Sequence, residues 1–160
     1  MSGSPVFYDG AHYEVGESLG HRLVSLMALM RREVELRMAQ HGLTDAQWKP
    51  LWKIQSGCAT TAIELARESG VDAGAITRML DRLEAKGLIE RVRSESDRRV
   101  VHLRLTAAGD AAAAHVPHVL ASVNNDFLRG FSEREFQTLH KLLERMTANG
   151  RALQAGSEGA

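Results

Sequence analysis

"TTAIELARESGVDAGAITRMLDRLEAKGLIERV", residues 60–92, is the stretch whose reading decides the fold. Thr61-Ala62-Ile63-Glu64 has the form of a capping box. In such a box the Thr hydroxyl satisfies an orphan helix amide and the Glu reaches back. It opens a short helix that stops at Gly70, and Asp72 caps a second helix that runs to Gly87. Ile76, Met79, Leu80 and Leu83 recur at helical spacing and form the inward face of that second helix. Gly74, Thr77, Arg78, Asp81 and Arg82 form its other face. Two helices joined by a turn of about three residues containing Gly make a helix-turn-helix. After Gly87 the period drops to two. "LIERVR" (88–93) and "VVHLRL" (100–105) alternate, with Val101, Leu103 and Leu105 on one side and His102 and Arg104 on the other. The polar residues 94–99 form the turn between them. Two strands alone are marginally stable in water, so the hairpin must lean on the preceding helices. Helix-turn-helix plus hairpin is a winged helix.

Upstream, residues 18–40 place Leu19, Leu23, Leu26, Met30 and Val34 at helical spacing, and His41-Gly42 ends that helix. Thr44-Asp45-Ala46-Gln47 is another capping box and opens a helix to about Ser56. Pro50 inside it removes one hydrogen bond, which predicts a bend or a short 3₁₀ start. Downstream, Thr106 caps a helix that Pro117 kinks, and the box at Ser132-Glu133-Arg134-Glu135 opens a last helix to about Leu153. The fold class is therefore mainly α (α+β): a winged helix-turn-helix with flanking N- and C-terminal dimerisation helices. Residues 1–17 form an N-terminal arm and 18–154 a single domain, whose winged part spans about 44–105. The flanking helices are 18–41 and 106–154, and 155–160 form a disordered tail, as does "MSGS" at the start. The flanking helices carry apolar faces that need cover, and a two-fold homodimer is the economical way to provide it.

Composition narrows the function. Hydrophobic residues make up 44% of the 160, which excludes global disorder. Lys plus Arg equals Asp plus Glu at 20 each, so nucleic-acid binding has to come from local clustering of cations. The single cysteine, Cys58, excludes a disulfide framework and reads as a small buried thiol. No signal segment precedes the first helix and no apolar run approaches the ~18 residues of a membrane span, so the expectation is a cytoplasmic protein with no membrane partner. A Gly-rich phosphate loop, a nucleophile elbow and a paired-carboxylate cluster are all missing, which speaks against an enzyme and against a cofactor. His115 and His118 have a chelating spacing, but without a neighbouring carboxylate or Cys they read as surface residues, and no metal is expected.

"LTDAQWKPLWKI" (43–54), the 60–92 stretch and "SESDRRVVHLRLTAAG" (94–109) together resemble the MarR family of bacterial transcriptional regulators, and look closest to its SlyA-like branch. The resemblance covers about residues 18–150. Its most specific part is the order of helix-turn-helix, "RLEAKGLIER", "SDRR" and "LTAAG". It implies a winged-helix homodimer on pseudo-palindromic, double-stranded operator DNA, released by a small aromatic acid or phenol: a ligand-responsive repressor.

In that setting Arg98 and Arg99, at the hairpin tip, reach the minor groove or its phosphates, with Asp97 orienting a guanidinium. The competing reading is a solvated charged turn. Thr77 and Arg78 lie where a recognition helix meets base edges, and Arg82, a turn later, faces phosphate. Against this, Arg78 can pair with Asp81 on its own helix. Arg67 and Arg91 read as surface or salt-bridge residues. The resemblance places an effector pocket between the first two helices near the dimer interface. Trp48 and Trp52, four apart, then give it aromatic walls; the competing reading is core packing. His21, Arg22 and Ser25 offer polar contacts there, and Tyr8, His12 and Tyr13 of the arm can cover it. The alternative function is a winged-helix protein-interaction module without specific DNA binding; a small-molecule-processing enzyme is a further one.

Overall fold

A computed structural model of the chain describes residues 5–94 and 100–157. Residues 1–4 and 158–160 lie outside the described residues, as do 95–99, which include Asp97, Arg98 and Arg99. The chain divides into two units, residues 1–123 and 124–160.

In the first unit, the arm makes 3₁₀ turns at Gly10–His12 and Val15–Glu17. There follow α1 (Leu19–Gln40), α2 (Asp45–Gln55), α3 (Ala62–Ser69), α4 (Ala73–Ala85), β1 (Ile89–Arg93), β2 (Val101–Leu105), α5 (Ala107–Ala113) and the greater part of α6 (Val116–Phe127). The mainly helical, winged-helix class read from the sequence is the one found.

The helix ends are set by local chemistry. Ser18 Oγ accepts the His21 N–H at 3.2 Å, and the Tyr8 hydroxyl accepts the Leu19 N–H at 2.9 Å, so the arm caps α1. Gln47 Oε1 accepts both the N–H and the hydroxyl of Thr44, at 3.0 and 3.1 Å. Gly70 closes α3 in the left-handed region (φ 62°), and the Val71 N–H returns to the Ala66 carbonyl at 3.3 Å. Gly reaches that region without steric cost, and the resulting tight turn aims α4 away from α3.

The core gathers Met38, Leu51, Leu65, Ile76, Leu80, Leu83, Ile89 and Leu103, with Trp48 at its margin. Ile76, Leu80 and Leu83 are the buried residues of α4, and Met79 is half-buried. The hairpin is antiparallel, with Ile89 opposite Leu105 and Arg93 opposite Val101. It leans on the chain entering α3: the Leu103 N–H donates to the Thr60 carbonyl at 2.8 Å, and Thr61 bridges His102. Leu103 is buried, but Val101 is exposed because the ribbon runs out past the core.

Gly109 explains the sequence "LTAAG". Thr106 donates its hydroxyl to the Gly87 carbonyl at 2.6 Å and its N–H to the Leu88 carbonyl at 3.1 Å. Its hydroxyl also accepts the Gly109 N–H at 3.0 Å. The start of α5 is thereby held so close to the α4–β1 turn that a Cβ on Gly109 would stand 1.8 Å from the Leu88 carbonyl oxygen.

Four sequence expectations need correction. The helix after Thr106 is not one kinked helix but two, α5 ending at Ala113 and α6 starting at Val116. Pro117 has no N–H to donate and its ring crowds the carbonyl four residues back, at Ala113. Restarting at Val116 puts the proline in a first turn, where neither fault matters. Pro50, by contrast, sits inside an α-helix that is regular from Asp45, without the 3₁₀ start. The carbonyl it leaves without a partner belongs to Ala46, an exposed residue that water can reach. Cys58 is exposed, not buried: it follows the left-handed Gly57 in the α2–α3 loop, and its neighbour Ala59 takes the buried place. Finally, the last helix does not stop at Leu153.

In the second unit, α7 runs over Glu133–Ser157, so residues 155–157 extend it where a tail was expected. Ala152, Leu153, Gln154 and Ala155 are good helix formers that carry it on. The Ser132 N–H and hydroxyl donate to the Glu135 carboxylate at 2.8 and 2.6 Å, completing the expected capping box. No residue of α7 is buried.

Candidate nucleic-acid interface

The recognition surface is built from α4. Asp72 Oδ1 accepts the Ala75 N–H at 2.9 Å and fixes the start of the helix. Its inward face is locked in the core, so Thr77, Arg78 and Arg82 are turned to solvent. Thr77 donates its hydroxyl to the Ala73 carbonyl at 2.9 Å, which leaves its oxygen lone pairs and methyl outward. Arg78 and Arg82 make no ion pair among the described residues, although Asp81 lies three residues from one and next to the other. Asp81 is taken by Arg91 of β1 instead, at 2.7 Å. Of the two readings of Arg91, surface or salt-bridge residue, the salt bridge is found, and the competing reading of Arg78, a pair with Asp81, is not. Arg67 is on the surface beside Glu68 at 3.7 Å.

α3 stands behind this surface. Glu64 accepts the Thr60 N–H at 2.7 Å, the Thr60 hydroxyl at 2.9 Å and the Thr61 N–H at 3.0 Å. These bonds, those of Thr60 foremost, favour the ionised carboxylate and hold its pKa below the ordinary glutamate value. The wing adds Arg93 and Arg104, both exposed, with Arg104 opposite Glu90 in the ladder. The tip residues Asp97, Arg98 and Arg99 are outside the described residues.

The residues expected to bind an effector fall in two places. Trp48 is only 9% exposed, donates its indole N–H to Asp45 at 2.9 Å and belongs to the core. Trp52 is half-buried against the same cluster. Asp45 also holds Lys49 and lies 3.5 Å from the Arg31 guanidinium, which joins α1 to α2. His21, Arg22 and Ser25 are exposed on the first turns of α1, with His21 Nε2 and Ser25 Oγ 3.5 Å apart. Tyr13 is exposed and packs at 5.7 Å against Tyr8, whose hydroxyl is spent on α1.

A cleft of about 380 Å³ opens between α2 and α4 instead, lined by Ala46, Val71, Met79 and Leu83 together with Arg78, Arg82 and Lys86. Neither tryptophan lines it. His115 and His118 are exposed; His115 stacks on His41 with ring centroids 4.3 Å apart. Among the described residues no group of three or more His, Cys, Asp or Glu is placed to hold a metal ion. Sequence reasoning did not anticipate the α2–α4 cleft, the histidine stack or the Arg91 fork, because each joins residues far apart in the chain.

A helix held by its apolar face, its cationic face outward and a two-stranded ribbon beside it define a winged helix-turn-helix protein. The chain belongs to the MarR family. The family model, described as "MarR family", matches residues 43–101. The reduced form of MarR from E. coli is 31% identical, with 81% of this chain and 96% of that one covered and a TM-score of 0.69. The transcriptional regulator PA3341 is 33% identical over 84% of this chain and 99% of that one, also at a TM-score of 0.69. A mutant MarR from E. coli, complexed with operator DNA, is 30% identical over 80% and 92%, again at 0.69. Among the described residues no helix is long and apolar enough to cross a membrane.

Proposed function

We propose that this chain is a ligand-responsive, DNA-binding transcriptional regulator of the cytoplasm, a homodimeric repressor that leaves a pseudo-palindromic operator when a small aromatic acid or phenol binds. The observation that carries the reading is on α4. Arg78 and Arg82 face solvent without a carboxylate partner among the described residues, on a helix whose other face is buried. Burial fixes the helix, and a guanidinium carried outward on it can bond guanine bidentately. A 30%-identical relative is a complex with operator DNA, which supports the same use of α4 here. Thr77 and Arg78 then meet base edges, Arg82 meets phosphate, and Arg98 and Arg99, oriented by Asp97, extend the contact from the wing. No catalytic role is assigned to any residue. Within the family, the chain is proposed as a member of the SlyA-like branch, on the resemblance of residues 43–54, 60–92 and 94–109.

The domain plan follows. α1 and α7 are dimerisation helices flanking the winged part, because each keeps large apolar residues exposed: Val24, Met27 and Leu29 in α1, and Leu139, Leu142 and Leu143 in α7. The effector seat combines Trp48 and Trp52 with His21, Arg22, Ser25 and Tyr13, the arm of residues 1–17 serving as cover. The cleft lined by Met79, Arg78 and Arg82 is the second seat to consider. An aromatic ring there would rest on apolar groups while its anion engaged the arginines assigned to DNA, and differential affinity for free and DNA-bound forms is what release requires.

Selection of duplexes from a random pool tests the DNA reading. A salt-sensitive, sequence-preferring complex is the expected result; no salt-sensitive shift on any duplex would leave the protein-interaction module. A panel of benzoates and phenols, followed by tryptophan emission and by release of the selected duplex, separates the two effector seats. Release with an emission change favours the seat at Trp48 and Trp52, and release without one favours the cleft.

A further inference from the structure

Arg91 stands in the middle of β1, opposite Leu103, and its side chain turns to α4. Nη2 lies 2.7 Å from Asp81 Oδ1, and Nη1 is bonded to Glu84. Asp81 and Glu84 are three residues apart, hence neighbours on the helix surface. A planar guanidinium with its donors spread as a fork can hold both at once, which an ammonium cannot do as well.

The position of Asp81 makes this bond consequential. It follows Arg78 by three residues and directly precedes Arg82. An Asp three residues from an Arg on a helix is a neighbour with which that Arg pairs, and such a pair would occupy the guanidinium assigned to base reading. In addition, two uncompensated carboxylates on α4 would offset both of its outward arginines before a phosphate backbone. Neither happens: Asp81 and Glu84 are drawn to β1, and Arg78 and Arg82 have no ion pair among the described residues.

We propose that Arg91 is a positioning residue for DNA recognition, an internal counter-ion that withdraws Asp81 and Glu84 from the reading face of α4 and leaves Arg78 and Arg82 for DNA. The inference rests on the DNA-binding reading above and adds a residue that touches no DNA. The fork also ties the recognition helix to the first strand of the wing, so the two elements approach the duplex as one body. Its contribution to folding stability is small, since all three side chains are partly exposed, Asp81 by 57%. Its effect belongs to binding.

The test compares the parent, Arg91→Ala, Asp81→Asn and the double variant Arg91→Ala with Asp81→Asn on a selected operator and a random duplex across salt. Thermal unfolding of each confirms that it folds. Arg91→Ala should weaken binding roughly twofold for each α4 engaged, or about fourfold for two, most clearly at low salt. Adding Asp81→Asn should return affinity to within about twofold of the parent, and Asp81→Asn alone should bind as well as the parent or better. The salt slope of Arg91→Ala should fall by much less than one unit per chain, because no phosphate contact is lost. A slope reduced by about one unit per chain, without rescue by Asp81→Asn, would show that Arg91 touches phosphate itself and would overturn the proposal. Unchanged affinity in Arg91→Ala would overturn it too. A parent that binds no duplex at all is a different result, the failure of the DNA-binding reading.

Discussion

α4 and α7 share the same three-and-four spacing of apolar residues and meet opposite fates. In α4, Ile76, Leu80 and Leu83 are each 1% exposed. In α7, Leu139, Leu142, Leu143 and Met146 stay between 36% and 43% exposed, and no residue is buried. The difference lies in what surrounds each. α4 is covered by the core it shares with α2, α3 and the hairpin. For α7 the chain supplies no such cover within its unit. Periodicity thus reveals which face of a helix seeks burial and is silent on whether the same chain provides it. The cover proposed for the apolar face of α7 is a second copy of the chain.

The largest expected effect separates the closed region from the open one by a single methyl group. Gly109→Ala forces a Cβ to within 1.8 Å of the Leu88 carbonyl, so α5 must leave the α4–β1 turn. We expect a loss of about 3 kcal/mol or more in urea unfolding. Gly150→Ala, in the middle of α7 where a Cβ meets nothing within 4 Å, should instead stabilise by about 0.5–1 kcal/mol. Equal effects of the two would erase the contrast. Next comes the interface itself. The parent should sediment at about twice the 17.6 kDa chain mass. Leu142→Glu with Leu143→Glu should abolish that species, because two charges would be buried without partners. A parent that stays monomeric at micromolar concentration would break the assignment of α7.

Much of the closed region was legible in the sequence because its signals are local. Thr61 and Glu64, Asp72 and Gly70 each mark a helix end within three or four residues, and the change of period after Gly87 marks the wing. The break before Pro117 was half legible: the proline announces a disturbance, but only the packing of Ala113 and Val116, both buried, makes two helices of it. Contacts between distant residues left no mark. "CATT" shows no alternation, yet Thr60 and Thr61 support β2. Arg91 reaches Asp81 and Glu84 across ten and seven residues and two elements, which no spacing rule reports. Of the site, the outward face of α4 was readable from helical period alone. Trp48 was readable as one of a pair four apart, but its burial comes from the core that gathers around α2.

A smaller effect sharpens the closed region from within. Glu64 is half-buried, and its pKa is lowered in the folded state by the bonds from Thr60 and Thr61. A carboxylate with a lowered folded pKa adds stability above its unfolded value, and that stability disappears as pH falls through the folded value. The unfolding midpoint of the parent should therefore exceed that of Glu64→Gln at neutral pH, and the gap should close on acidification. A gap that widens toward acid would contradict the capping role. Glu135, lowered by its bonds from Ser132, should behave alike at the start of α7.

The most direct test of the central claim, that α4 reads DNA, is to measure Arg78→Ala and Arg82→Ala on a selected operator and on random duplex at several salt concentrations. Arg78→Ala should cost about 1–3 kcal/mol on the operator, much less on random DNA, and relax the preference at one base pair of each half-site. Arg82→Ala should weaken both duplexes alike and lower the salt slope by about one unit per chain. Operator affinity and selectivity that survive both substitutions would contradict the claim.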